Sequence, residues 1–312
     1  MSAITSRFIS NSASLVYGVK PLFKETLLGS RSHALGVKGV IFDWAGTTID
    51  YGCKAPMAVF RKVFAEEGVP ISVAEARAPM GVHKKVHIRK ITQLPAVAER
   101  WMKVYSRPPN ETDIEKMYAK FVPQQLECLA NYCDLIPGTL ETVKFIRDRK
   151  WKIGTTTGYT YEMKKILLSE AKKRGYSPDS MVTADGVQEG RPFPFMVRKS
   201  CDCLDLPLFS TVKVDDTPDG VIEGVAAGTW GVHLFQTGNE VGLTEEELNR
   251  LPQEEKQRLL QHAAKSAAGV AHFIIPGIWE LPRVLMEIDM LIKTGHSPDD
   301  YPEAHRALTA LR

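Results

Sequence analysis

Val37-Lys-Gly-Val-Ile-Phe-Asp43 is a short apolar run that ends in a carboxylate, with the turn residues Gly46-Thr47-Thr48 just beyond it. Gly39 and that turn bound Val40, Ile41 and Phe42, which predicts a buried strand with Asp43 at its carboxyl end. Two other strand candidates also end in polar groups. Lys152-Ile-Gly-Thr-Thr-Thr157 runs into Gly158, and Thr211-Val-Lys-Val-Asp215 runs into Asp216. Further strands near Met181-Val-Thr183, Gly231-Val-His-Leu-Phe235 and Ala271-His-Phe-Ile-Ile275 alternate with helical stretches, among them Thr139 to Arg149 and a last helix. Such alternation means a parallel sheet covered on both faces. Ligands of these sheets bind beyond the carboxyl ends of the strands, so Asp43, Thr157 and Asp216 are expected to meet there.

A different pattern separates the first strand from the rest. Met57, Phe60, Val63 and Phe64 share one helical face, and Gly68-Val-Pro70 ends that helix. Ser72-Val-Ala-Glu75 and Thr112-Asp-Ile-Glu115 read as capping boxes, and Ile114, Met117, Tyr118, Phe121 and Val122 form an apolar stripe. No strand is evident between Gly52 and Cys133. The expected architecture is a Rossmann-like α/β core, residues 37–52 and 134–293, interrupted by a helical cap, residues 53–133. Residues 1–36 form an extension and residues 294–312 a tail.

Composition narrows the function classes. Over 312 residues the formal net charge is +3 and no basic stripe appears, which argues against nucleic-acid binding. Apolar stretches are far short of a membrane span. The 5 cysteines have no regular spacing, which argues against a disulfide framework and for a reducing compartment. Met1 to Lys24 holds no acidic residue, is rich in Ser, and carries Arg7, Lys20 and Lys24. That composition suits an organellar transit peptide as well as an ordinary extension, so a mitochondrial and a cytoplasmic location both stay open.

Taken alone, Asp43 reads as a cap on the next helix. Grouped with Thr157-Gly158 and Asp215-Asp216, it reads as part of a phosphoryl-transfer site. Carboxylates suit Mg²⁺, a hard ion that prefers oxygen. Thr157 and Arg191 can hold phosphate oxygens, and the cations offset repulsion between a carboxylate nucleophile and an anionic phosphoryl group.

Phe42-Asp43-Trp44-Ala45-Gly46-Thr47-Thr48 resembles the first motif of the haloacid dehalogenase superfamily. Within it the chain is similar to the phosphonatases, the phosphonoacetaldehyde hydrolase family. The resemblance runs from about Val37 to the helix after Trp279. It takes in Asp50-Tyr-Gly-Cys53, Pro79-Met-Gly81 with Lys84 and His87, Gly154-Thr-Thr-Thr-Gly-Tyr-Thr160, Gly190-Arg-Pro-Phe-Pro194 and Val214-Asp-Asp-Thr217. It implies hydrolysis of the carbon–phosphorus bond of phosphonoacetaldehyde to acetaldehyde and phosphate, in 2-aminoethylphosphonate degradation. Asp43 would be the nucleophile, Lys84 the Schiff-base amine and His87 a proton shuttle. Mg²⁺ would lie between Asp43, the Ala45 carbonyl and Asp216. Met80, Gly81, Cys53, Thr157, Gly158, Tyr159 and Arg191 would face substrate. A homodimer formed through the cap is also implied.

Ala45 is the informative departure. Related phosphatases carry a second aspartate there, which protonates an alkoxide leaving group. Alanine cannot do so, whereas a carbon leaving group assisted by an iminium needs no acid at that place. That chemistry requires a lysine amine partly neutral near pH 7, a state favoured by burial or a neighbouring cation such as Lys85. The rivals are a phosphate-ester hydrolase of the same superfamily and a non-catalytic binding protein on this fold. A second departure lies in Asp215-Asp216-Thr217-Pro218-Asp219-Gly220. Where the superfamily usually has Gly-Asp and a further acid four residues on, Asp215 precedes Asp216 and Gly220 takes the later place.

Overall fold

Val40, Ile41 and Phe42 are fully shielded from solvent, as a strand covered on both faces requires. A computed structural model describes residues 17–18 and 36–301. Its strands are β1 (Tyr17–Gly18), β2 (Gly39–Phe42), β3 (Lys152–Thr157), β4 (Ser180–Thr183), β5 (Thr211–Asp215), β6 (Trp230–Leu234) and β7 (Phe273–Ile275). They lie in one sheet in the order β1-β7-β6-β5-β2-β3-β4. From β2 onward every pairing is parallel, so the Rossmann-like core of the expected fold class is present. Because β2 sits between β3 and β5, the ends of all three, and hence Asp43, Thr157 and Asp215, are neighbours.

Five helices separate β2 from β3's own approach helix: α1 (Lys54–Glu66), α2 (Val73–Arg77), α3 (Lys84–Thr92), α4 (Pro95–Tyr105) and α5 (Glu111–Leu129). Phe60 stacks on Phe121 with ring centroids 4.4 Å apart, joining α1 to α5. Each such fully buried aromatic contributes roughly 1.5–3 kcal/mol. Among the described residues seven further helices dress the sheet: α6 (Thr139–Asp148), α7 (Tyr161–Lys173), α8 (Phe195–Leu204), α9 (Pro218–Ala227), α10 (Glu245–Arg250), α11 (Gln253–Ser266) and α12 (Leu281–Lys293). Among the described residues no helix is long and apolar enough to cross a membrane.

Three details depart from the sequence reading. The Ser72 capping box forms, but the second one is built by Asn110 and Asp113, two residues before the expected Thr112. Asn is as strong an N-cap as Ser or Thr and opens the helix first. The sheet does not begin at Val37. Tyr17 and Gly18 add an antiparallel edge to β7, opposite Ile274 and Phe273. An uncovered sheet edge is a template for such pairing. The tail beyond Lys293 is also partly seated on the core, since the Tyr301 and Trp230 rings lie 5.4 Å apart. Most of the acid-poor segment read as a transit peptide lies outside the described residues.

Candidate active site

A narrow cavity lies between the carboxyl ends of β2, β3 and β5 and the start of α3. Asp43, Ala45, Cys53, Met80, Gly81, Lys84, Thr157, Gly158, Tyr159, Arg191 and Asp216 all line it. The sequence-predicted residues are thus gathered in one place, with His87 the exception.

Gly46 and Gly81 allow the two sides to approach. Both have positive φ, 83° and 95°. A Cβ on Gly46 would stand 2.6 Å from an Asp216 oxygen and from the Cys53 sulfur, and one on Gly81 would stand 2.9 Å from the Thr217 hydroxyl. Side chains are excluded at both by conformation and by space.

On the sheet side the charges are paired. Arg191 Nη2 donates to Asp43 Oδ1 and to the Thr156 carbonyl and hydroxyl, and its Nε donates to Glu223 Oε2 at 3.0 Å. Lys213 Nζ lies 2.9 Å from Asp215 Oδ2 and 3.6 Å from Glu223 Oε2. Burial works against the Arg191 cation, but Asp215, Asp43 and Glu223 outweigh it and hold the guanidinium firmly charged. Burial raises the Asp43 carboxyl to about 6 against the opposing pull of Arg191. It also raises Asp216 well above the usual carboxylate range, with help from the charges of Asp43 and Asp215. Asp216 Oδ2 accepts from the Asn239 N–H at 2.8 Å and from the Cys53 thiol at 3.3 Å.

The donor set fits a hard divalent cation. Carboxylate oxygens of Asp43, Asp215 and Asp216 lie within 4.8 Å of one another, all buried. Two of these carboxyls are pushed toward protonation by burial, and a dication among them would favour their charged forms. Asp219 stands apart, its carboxylate 3.9 Å from Lys90 on α3.

The cap side is built differently. Lys84 is the first residue of α3 and only 4% exposed. Among the described residues its Nζ rests over the Tyr159 ring, 4.7 Å from the centroid, rather than against a carboxylate. Burial lowers its pKa to about 8, with the nearby Asp43 charge opposing. The neighbouring Lys85 turns outward to Glu115 and Glu111.

His87 departs from the expectation that it shares the working face of Lys84. Its ring stacks on Phe60 at 3.9 Å, and its Nε2 donates to the Ala76 carbonyl at 2.9 Å. Nδ1 is buried with no hydrogen-bond partner. Burial, then the charge of Lys84, keeps the imidazole neutral. The reason is position in the helix: Lys84 opens α3 and reaches past its end, whereas His87 lies a turn deeper against α1.

Cap and core are tied together beside the cavity. Arg77, the last residue of α2, donates to the Gly52 carbonyl at 2.9 Å, the Gly242 carbonyl at 2.9 Å and Asn239 Oδ1 at 3.3 Å. Sequence reasoning missed Arg77, Asn239, Thr156, Lys213 and Glu223. Lys213 had a usable signal, because a lysine inside a strand buried on both faces needs an acidic partner.

Comparison with known proteins follows the same lines. Residues 37–228 match the model of the haloacid dehalogenase-like hydrolase family. The phosphonoacetaldehyde hydrolase of Syntrophobacter fumaroxidans is 41% identical over 276 residues, 88% of this chain and 100% of that one. A bifunctional phosphonoacetaldehyde hydrolase/aminoethylphosphonate transaminase of Clostridioides difficile is 41% identical over 267 residues, 85% of this chain and 42% of that one. The crystal structure of a phosphonoacetaldehyde hydrolase-like protein from Oleispira antarctica superposes with a TM-score of 0.84 at 37% identity, covering 88% of this chain and 100% of that one. These relatives are bacterial and lend the organellar reading no support. A likeness that spans both the sheet and the helices carrying Lys84 leaves one conclusion: this chain is an enzyme of the phosphonoacetaldehyde hydrolase family, within the haloacid dehalogenase-like hydrolases.

Proposed function

We propose that the enzyme hydrolyses the carbon–phosphorus bond of phosphonoacetaldehyde, giving acetaldehyde and phosphate. The observation that carries this reading is a buried lysine, its pKa drawn down to about 8, facing the same cavity as a strand-end aspartate whose usual acid partner is replaced by Ala45.

The Lys84 amine adds to the aldehyde carbon and expels water, leaving an iminium on the substrate. An oxygen of Asp43 then attacks phosphorus. The carbon–phosphorus bond breaks, and its electron pair moves into the iminium to give a neutral enamine. Protonation of the enamine carbon regenerates an iminium, and water hydrolyses it to acetaldehyde and free Lys84. A second water hydrolyses the aspartyl phosphate. Arg191, anchored by Glu223, keeps part of its guanidinium for the phosphonate oxygens. Thr157, Gly158 and Gly81 shape that end of the pocket, while Met80, Cys53 and Tyr159 enclose the two-carbon end. Asp43, Asp216 and the Ala45 carbonyl would hold Mg²⁺, whose charge offsets repulsion between carboxylate and phosphonate. His87, expected as the proton shuttle, has Nε2 committed to Ala76 and only Nδ1 uncommitted, so any part it takes in proton transfer falls to Nδ1.

The remaining assignments form part of the same proposal. Residues 53–133 act as the cap and residues 37–52 and 134–293 as the core. The Clostridioides relative joins its two activities in one chain, which supports a place in 2-aminoethylphosphonate degradation. Val73, Met102 and Val104, exposed on cap helices, support a homodimer through the cap. Free thiols at all five cysteines support a reducing, cytoplasmic setting.

Borohydride reduction in the presence of phosphonoacetaldehyde tests the reading. The two-carbon unit should be fixed to Lys84 and located by peptide mass spectrometry, with phosphate release in the unreduced reaction. An adduct on Lys85, or phosphate released from simple esters but not from phosphonoacetaldehyde, would overturn it.

A further inference from the structure

Residues 236–243, the stretch between β6 and α10, hold two parts of the molecule together. Gln236 Nε2 donates to the Tyr51 hydroxyl at 3.2 Å, and the Thr237 carbonyl accepts from the Gly52 N–H at 2.8 Å. Tyr51 and Gly52 belong to the link from β2 into α1. The Thr237 hydroxyl donates to the Gly46 carbonyl at 2.6 Å, in the turn just beyond Asp43. The stretch thus braces both the turn behind the strand-end aspartate and the entry into the helical block.

Arg77 reaches the same stretch from α2. Its Nη1 donates to the Gly52 carbonyl at 2.9 Å, the Asn239 carbonyl at 3.4 Å and Asn239 Oδ1 at 3.3 Å, and its Nη2 donates to the Gly242 carbonyl at 2.9 Å. Asn239 Nδ2 donates back to the Arg77 carbonyl at 3.3 Å. Room for the guanidinium comes from Gly242, whose φ is 64° and where a Cβ would stand 2.5 Å from Arg77 Cζ. These acceptors are all neutral oxygens, set around a planar fork of fixed geometry. Such a group supplies direction rather than charge balance, and the segment 78–83 carries that direction from Arg77 to Lys84.

We propose that Arg77 is a positioning residue for carbon–phosphorus cleavage, setting the helix that begins with Lys84 against the strand that leads into Asp43. The proposal rests on the reading of Lys84 as the imine-forming amine and Asp43 as the nucleophile. The two steps make different demands. Imine formation joins one amine to one aldehyde carbon and involves the cap alone. Cleavage needs an Asp43 oxygen on phosphorus while the neighbouring carbon is held at Lys84, so cap and core must be in register. A misplacement of about 1 Å costs such a step about 100-fold. Loss of Arg77 should therefore spare the first step and slow the second.

Two rates measured on the full chain separate these demands. One is capture of acetaldehyde on Lys84 by cyanoborohydride, located by peptide mass spectrometry, which probes the amine without a phosphonate. The other is phosphate release from phosphonoacetaldehyde in a single turnover. Arg77→Met should slow phosphate release by about 10–100-fold and leave acetaldehyde capture at the wild-type rate. Arg77→Lys, which keeps a donor but not the fork, should fall between Arg77→Met and wild type in phosphate release. Gly242→Ala should slow phosphate release as well, because its methyl takes the space of the guanidinium, and adding it to Arg77→Met should cost little more. Unchanged phosphate release in Arg77→Met would overturn the proposal, and so would an equal fall in both rates, which general loosening of the fold would give. Should Arg77→Met not fold, Arg77→Lys decides by the same comparison. If the wild-type chain releases phosphate but captures no acetaldehyde on Lys84, the Lys84 reading itself falls and this proposal with it.

Discussion

Lys84 and Arg191 are both cations buried in the wall of one cavity, yet the two sides of that cavity treat them in opposite ways. On the sheet side Arg191 is ringed by Asp43, Asp215 and Glu223, and its charge is locked in. On the cap side Lys84 has an aromatic ring beneath it, and burial draws its pKa down to about 8. Desolvation acts on both in the same direction, so the placement of carboxylates decides the outcome. The sheet side keeps its cation charged, and the cap side makes its cation easier to discharge.

This contrast can be broken by removing each charge in turn. Arg191→Met should destabilise the fold by about 3–5 kcal/mol, because it leaves buried carboxylates without their partner. Chemical denaturation against wild type checks this, and an unchanged midpoint would mean that the ion-pair layer contributes nothing.

Lys84→Met should do the reverse. Turnover and borohydride trapping should vanish, while the protein gains about 3 kcal/mol at pH 7, the cost of holding that amine at a pKa of about 8 instead of 10.5. The sign follows from linkage: between those values the unfolded chain binds more protons, so wild-type stability rises with pH. The advantage of Lys84→Met should therefore be full below pH 8 and gone by about pH 10.5, as paired melts across that range would show.

A gentler change sharpens the comparison. Glu223→Gln keeps the shape beside Arg191 but removes a charge, and should cost about 1–3 kcal/mol of stability. Its effect should fall on KM for the phosphonate more than on trapping at Lys84. Equal loss of both in steady-state kinetics would mean that the two sides are not separable.

The smallest effect concerns pH. Trapping at Lys84 should rise about tenfold per unit below pH 8 and level off above it, following the neutral amine. Trapping that is flat from pH 6 to pH 9 would show that the cap side does not tune its lysine at all.

The same contrast explains what the sequence disclosed. The sheet was readable because Val40-Ile41-Phe42 and its counterparts are short apolar runs with turn residues behind them, and the site because each important strand ends in a polar group. Lys84 was readable only through its surroundings, since a Lys-Lys pair by itself looks like solvated surface. Glu223 was not readable: it lies in the middle of α9 between Ile222 and Gly224, and its partners are distant in the chain. The clash that a Cβ at Gly220 would make with Asp215 Cγ, at 2.0 Å, exists only in three dimensions, although both departures stood out in the sequence. Tyr17–Gly18 is too short to show any periodicity. The spacing of Lys84 and His87 predicted a shared helix but not that the first residue of that helix would reach beyond its end.

Arg77 gives the cap a hold on Asp216 without touching it. It grips Asn239, whose N–H in turn restrains Asp216. An outward swing of α2 would strip Asn239 of that anchor at the moment the cavity opens. The seating of α2 and the restraint on Asp216 are thereby geared to one stroke.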